Sequence, residues 1–104
     1  MSVVSVYCNF ANAEEAERIG RIAVEERLAA CINIFGPCRS IYRWEGTVRT
    51  ADEAPAILKT SAARVDALIA RVAELHSHVV PAITVLPVER LLADYGDWVE
   101  RSTC

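Results

Sequence analysis

Apolar positions in the first quarter of the chain change from an almost continuous run to helical spacing. Residues 3–9 are mostly apolar, which is typical of a short strand buried on both faces. The following segment has small apolar residues on one helical face: Ala16, Ile19, Gly20 and Ala23. With Asn12 as the N-cap and Glu15 three residues later, this pattern predicts a helix over 13–27.

In the last third of the chain, helical spacing of apolar residues comes first and a continuous apolar run follows. A clean apolar stripe predicts a helix over 62–75, capped by Ser61. The stripe consists of Val65, Leu68, Ile69, Val72 and Leu75. An apolar run between two prolines predicts a strand over 82–86. Aromatic and apolar residues on one side predict a short final helix over 94–101.

Residues 28–60, between the two long helices, have the composition of strands. The first run carries Ile, Phe, Tyr and Trp, which favour a half-buried pleated surface, and Gly36-Pro37 indicates a bend within it. Glu45-Gly46 predicts a tight turn that folds the second run back on the first. Pro55 lacks a backbone donor, so it predicts an edge position or a bulge in that second run.

The resulting order is strand, helix, strand, strand, helix, strand and a terminal helix. This order predicts an α+β fold, namely a ferredoxin-like βαββαβ sandwich with a long protruding β-hairpin and a short C-terminal helix. Both long helices should cover one face of a four-stranded antiparallel sheet. An arm of about 14 residues would extend roughly 46 Å, more than one small domain can cover. We therefore expect further copies of the chain to cover the arm and the open sheet face.

Composition and charge narrow the possible functions. The 104 residues predict a single domain over 1–104 with an ample core, since 53% of them are apolar. A net charge of −3 argues against a broad nucleic-acid or anionic-membrane surface. The chain has no apolar run of 18 residues and no signal-peptide pattern, so we expect a cytoplasmic protein with no membrane contact. The four cysteines have no CxxC spacing, which argues against a metallochaperone site, and the ample core without an export signal favours free buried thiols over disulfides.

Several blocks of sequence resemble the CutA divalent-cation-tolerance family. These are EERLAACINI at 25–34, SIYRWEG at 40–46, LKT at 58–60, RVAELH at 71–76 and LPV at 86–88, followed by a Tyr-x-x-Trp pair at 95–98. The resemblance covers nearly the whole chain. It implies a tight homotrimer in which the hairpins extend neighbouring sheets, similar in fold and assembly to the PII signal-transduction proteins. It also implies a role in tolerance to divalent metals, notably copper, without enzymatic activity.

One segment departs from the family pattern. Where the family has His-Pro-Tyr-x-x-Pro-Glu, this chain has HSHVVPA at 76–82. His76 and Pro81 are retained, whereas Ser77, His78 and Ala82 replace the Pro, the Tyr and the Glu. A carboxylate that could close an inter-subunit cleft is therefore missing at Ala82.

Candidate metal ligands are His76, His78, Cys31 and Cys38. Neutral imidazoles bind copper and zinc well, and thiolates bind copper(I), so copper or another divalent metal is the expected ligand, with none required for folding. Other interpretations are open for each residue. The histidines can serve as a helix C-terminal cap, and Cys31 as a small buried apolar residue. Cys38 follows the bend and is expected to be accessible.

Candidate residues for a cleft between subunits are Tyr42, Trp44, Glu53 and Lys59 on the hairpin. Lys59 could hold an anion and Glu53 a cation. The alternative is trimer packing for the two aromatics, and an ion pair for the two charges.

Three functions follow from these candidates. The first is a metal-responsive trimeric binding protein for copper tolerance. The second is a PII-like signalling or scaffold protein that binds a small anionic ligand or a partner protein at the subunit clefts. The third is an enzyme with an unrecognised site.

Overall fold

A computed structural model describes residues 2–104, in which five strands and three helices follow the predicted order. The elements are β1 (Val3–Phe10), α1 (Ala13–Glu25), β2 (Cys31–Ile34), β3 (Cys38–Trp44), β4 (Thr47–Ser61), α2 (Val65–Leu75), β5 (Ile83–Pro87) and α3 (Ala93–Ser102). The predicted fold class is confirmed. The sheet has five strands rather than four because Gly36-Pro37 divides the first run of the hairpin into β2 and β3.

All strand pairs are antiparallel, and the spatial order is β2-β4-β1-β5, with β3 paired to the outer half of β4. Val6 on β1 lies opposite Leu58 on β4 and Val85 on β5. Because side chains alternate along a strand, Val6, Cys8 and Phe10 face α1 and α2. This register places the main core between the sheet and the two long helices.

Close packing of α1 on the sheet depends on a glycine. A Cβ at Gly20 would lie 2.6 Å from Ile32 Cδ1 and 2.8 Å from Ile32 Cγ2. Any larger residue would therefore force either the Ile32 side chain or α1 to shift, so the small-residue face predicted for α1 has a direct packing role.

The opposite sheet face is covered only at one end. Val3 and Ala30 pack there against Val99 of α3, with Tyr95 beside them. The rest of this face, which we call the open face, carries Tyr7 and Asn9 on β1 and extends along the hairpin. Large apolar side chains remain exposed on the hairpin, among them Ile41, Trp44 and Val48.

Element ends differ from the predictions by up to three residues. Helix α1 ends at Glu25, and Arg27, with φ of 61°, makes the turn that follows. Helix α2 begins at Val65, and Ser61 does not cap it. Ser61 is instead paired with Val3 at the end of β4, so long-range pairing takes precedence over local capping.

The hairpin turn forms as predicted, since Glu45 and Gly46 have φ of 51° and 77°. The conformation suits a two-residue turn whose twist matches its strands. The paired arm beyond the domain is seven residues long, or about 23 Å, because the inner half of β4 lies within the main sheet. The predicted arm of 14 residues was therefore too long.

Pro55 lies in the central strand β4, so of its two predicted positions the edge is wrong and the bulge is confirmed. Between the pairs Ile34–Ala56 and Cys38–Glu53, three residues (35–37) stand opposite two (54–55). Its carbonyl accepts a hydrogen bond from Phe35 N at 2.9 Å, on the side where residues 35–37 interrupt the ladder. The N–H and C=O of one residue point to the same side of a strand, so the missing donor faces this interruption. Pro55 is thus tolerated without the loss of a regular ladder bond.

Across residues 2–104, no helix has both the length and the apolar character needed to cross a bilayer.

Candidate functional site

A cleft of about 690 Å³ lies between the outer hairpin and the loop that follows α2. We call it the hairpin cleft. The hairpin contributes Ser40, Ile41, Tyr42, Trp44, Arg49 and Glu53, the loop contributes Ser77, His78, Val79, Val80 and Ala82, and β1 contributes Asn9. The volume is in the range of sites that bind small organic molecules.

His76 is buried at the end of α2, and both of its ring nitrogens have protein partners. The backbone N–H of His78 donates to Nδ1 at 3.0 Å, so Nδ1 carries no proton. Nε2 lies 2.9 Å from the carbonyl oxygen of Asn9, which can only accept, so Nε2 carries the proton and donates. The ring also stacks on Phe10 at 5.4 Å. As placed, His76 has no free nitrogen for a metal.

Glu15 connects the two loops on either side of His76. Its carboxylate accepts from Ala11 N at 3.1 Å and from Ser77 N at 3.2 Å, and it lies 3.7 Å from His76 Nε2. Burial acts to raise the pKa of Glu15, but the hydrogen bonds from Ser77 and Ala11 and the nearby His76 outweigh it. The pKa is therefore held below its ordinary value of 4.5. Glu15 thus fixes the loop that forms one wall of the hairpin cleft.

Replacing Glu15 with glutamine is expected to lower the free energy of unfolding at pH 7 by about 1–3 kcal/mol. Ala11 N–H and Ser77 N–H donate to different carboxylate oxygens, and glutamine replaces one of these oxygens with an NH2 donor. A depressed folded-state pKa contributes stability that is present above pH 4.5 and is lost as pH falls through the folded-state pKa. The difference between parent and Glu15→Gln should therefore shrink in acid. Urea unfolding from pH 7 to pH 3 measures it. A difference that stays constant with pH would contradict this role.

His78 is exposed, in contrast to His76. Its ring lies 4.8 Å from the ring of His76, and its side chain lines the hairpin cleft. It is therefore the imidazole that a ligand in the cleft can reach.

All four cysteines are free, and only Cys8 is buried. Burial, followed by Glu15 and Glu53, raises the pKa of Cys8 to about 12, which keeps it a thiol. Cys31 Sγ lies 3.6 Å from the Tyr95 hydroxyl, and burial together with Cys31 raises the pKa of Tyr95 to about 12. Cys38 Sγ lies 3.7 Å from Ser40 Oγ.

The two candidate metal-binding cysteines are far apart. Cys31 pairs with Lys59, and Cys38 pairs with Glu53, six residues away on β4. Six residues of strand correspond to about 20 Å, so one metal ion cannot bind both thiols within one chain. Among residues 2–104, no group of three or more His, Cys, Asp or Glu side chains is placed to hold a metal. The metal site therefore stays a prediction.

Three of the four predicted cleft residues line the hairpin cleft: Tyr42, Trp44 and Glu53. Lys59 does not, because it lies about 20 Å along β4 from Glu53. The same separation rules out an ion pair between Lys59 and Glu53 within the chain. The register places Tyr7, Cys38 and Glu53 on the same face of the sheet, and burial, then Cys38 and Glu53, raises the pKa of Tyr7.

Sequence reasoning missed Arg49 and Asn9. Arg49 pairs with Tyr42 in the hairpin register, a relation that counting outward from Glu45-Gly46 could have found. Asn9 shares its face of the sheet with Glu53, because Asn9 pairs with Pro55. No local signal identifies Asn9 as a cleft residue.

The fold and the cleft together define a class of protein: a ferredoxin-like α+β domain with a projecting hairpin and a ligand-sized cleft beside it. The family model described as "CutA1 divalent ion tolerance protein" matches residues 4–102. The chain belongs to this family, as the sequence blocks predicted.

Individual relatives match over nearly their whole length. The "Divalent-cation tolerance protein CutA" of Thermotoga maritima is 39% identical over 100 residues, which cover 96% of this chain and 98% of the relative. Its counterpart in Archaeoglobus fulgidus is 37% identical over 97 residues, covering 93% and 94%.

Solved structures agree with these sequence matches. CutA from Xylella fastidiosa covers 100% of both chains with a TM-score of 0.96 at 32% identity. The Archaeoglobus fulgidus structure, described as a periplasmic divalent cation tolerance protein, has a TM-score of 0.93 at 36% identity and covers 97% of this chain and 98% of that chain. The predicted cytoplasmic location of the present chain stays a prediction.

Proposed function

We propose that the protein is a cytoplasmic homotrimer that binds copper or another divalent metal at its subunit boundaries, and that it acts in metal tolerance without enzymatic activity. Family membership and the names of the Thermotoga and Archaeoglobus relatives support the role in divalent-cation tolerance. The observation that carries the metal proposal is the hairpin cleft, where the accessible imidazole of His78 and the carboxylate of Glu53 line the same cavity.

Two ligands from one chain leave a metal ion incompletely coordinated, since a closed zinc site takes four ligands. A neighbouring subunit is the natural source of the others. The outer half of β4 is paired on one side only, and exposed apolar groups such as Ile41 and Trp44 lie on the hairpin. These features favour a further copy of the chain against the hairpin, beside the cleft.

Calorimetric titration with copper(II) tests the metal proposal. We expect the assembled parent to bind copper, and His78→Ala to weaken binding by about tenfold or more, as loss of a metal ligand does. Val79→Ala is the matched control, because Val79 is the adjacent and highly exposed loop residue. Equal affinity in His78→Ala and parent would move the site to Cys31 or Cys38. Absence of copper binding in the parent would refute the proposal.

The PII-like alternative has one specific observation in its favour. A volume of about 690 Å³ is much larger than a metal ion needs and fits a small organic ligand. Lys59, which was expected to hold an anion, lies outside this cleft. The groups that line the cleft, and not Lys59, therefore determine which ligand charge it favours.

A further inference from the structure

Two charged side chains line the hairpin cleft, and they differ in their partners. Arg49 has a carboxylate nearby, since its Nη2 lies 3.8 Å from Glu45 Oε1. Glu53 has none of the opposite sign: within residues 2–104, no Lys, Arg or His nitrogen lies within 4.0 Å of its carboxylate. The uncompensated charge of the cleft is therefore negative.

Hydrogen-bonding groups lie at the same end of the cleft as Glu53. Ser40 pairs with Ala51, which lies two residues before Glu53 on β4 and on the same face. Along the strand, the Cα atoms of Ala51 and Glu53 are about 7 Å apart. Asn9 pairs with Pro55, two residues from Glu53 in the other direction. A half-buried carboxylate with a hydroxyl and an amide beside it suits a group that donates several hydrogen bonds, as an ammonium does.

The other end of the cleft has aromatic and apolar side chains, with Arg49 beside them and Glu45 as the partner of Arg49. Tyr42 lies opposite Arg49, four residues or about 13 Å from Glu53, and Trp44 lies further out on the same face. Val79 and Val80 form the facing wall. Both aromatic rings are only partly covered in the single chain. The cleft therefore has an acidic end at Glu53 and an aromatic end at Tyr42, separated by the length of a medium-sized organic molecule.

We propose that the hairpin cleft binds an elongated organic amine, with its ammonium group at Glu53 and its apolar or aromatic body between Tyr42 and the wall formed by Val79 and Val80. This inference shares the cleft with the proposed function and reverses the charge expected for a small ligand. It requires no metal, so the two proposals can fail independently.

Calorimetric titration of the assembled parent, with EDTA present to exclude metals, compares three probes of one shape. Phenylbutylamine should bind about tenfold or more tightly than phenylbutanol, because the charge-assisted hydrogen bonds to Glu53 are absent in the alcohol. Phenylbutyrate should bind more weakly still, since its charge repels the carboxylate.

Glu53→Gln should reduce the affinity for phenylbutylamine about tenfold, to that of the alcohol. Asp52→Asn is the matched control, because Asp52 is adjacent on β4, points to the other face and lies 3.8 Å from Arg39. Thermal melting verifies that both variants fold.

Three results would overturn the inference. They are equal or tighter binding of phenylbutyrate, unchanged amine affinity in Glu53→Gln, and no amine binding because a neighbouring subunit fills the cleft. Amine binding in a parent that fails to bind copper would leave this inference standing and refute only the metal proposal.

Discussion

Replacing His76 with alanine is expected to lower the free energy of unfolding by about 3 kcal/mol, from lost packing and lost hydrogen bonds. The imidazole is fully buried against Phe10 and is the bridge between the Asn9 carbonyl and the His78 amide. Its removal leaves a cavity and two backbone groups without their partner. Urea denaturation at one fixed protein concentration measures the change.

His78→Ala provides the control, because His78 has the same side chain but is exposed. It should change the free energy of unfolding by no more than about 0.5 kcal/mol. The pair of variants separates a structural histidine from an accessible one. Little loss of stability in His76→Ala, together with loss of copper binding, would show instead that His76 is a ligand.

Trp44→Ala is expected to weaken assembly by more than about 2 kcal/mol, the usual cost of truncating an aromatic anchor at an interface. Light scattering of the parent should give about three times the chain mass of 11.4 kDa. The variant should dissociate on dilution before its core unfolds. Trp44 lies on the hairpin, where the outer half of β4 is paired on one side only, so burial of Trp44 requires a neighbouring chain.

Trp98 is the matched control for this experiment. It lies on α3 and has an exposed fraction of 38%, against 37% for Trp44. The two variants therefore remove equally exposed side chains and differ only in their position in the fold. Trp98→Ala should leave the trimer intact. A trimeric Trp44→Ala variant with an unchanged melting temperature, or a parent that is monomeric at every concentration, would contradict the assembly model.

The fold could be predicted because its strongest signals are local. The stripe from Val65 to Leu75 has one period, and Glu45-Gly46 supplies the positive φ that a two-residue turn requires. The errors arose where distant pairing decides the outcome. Ser61 is paired with Val3, and the donor that Pro55 lacks faces a break in a strand 20 residues earlier. Neither relation is visible in the neighbouring sequence.

The candidate site also combines residues that local sequence could group and residues that only long-range contacts bring together. Tyr42, Trp44 and Glu53 follow from the hairpin register, so the sequence could group them. The different environments of His76 and His78 depend on Asn9, at the end of a strand 67 residues away. Lys59 and Glu53 are close in sequence, but six residues of extended strand place them about 20 Å apart.

The two halves of β4 should exchange their amide hydrogens at very different rates. Ala54–Ser61 is paired with β1 on one side, and much of it with β2 on the other, whereas Thr47–Glu53 is paired only with β3. Amides of the inner half should open only with the whole domain, while those of the outer half can open locally. Exchange in the outer half therefore reports how firmly the arm is held by its neighbours. One strand therefore contains both the slowest-exchanging amides, which report unfolding of the whole domain, and the amides whose exchange is most sensitive to association.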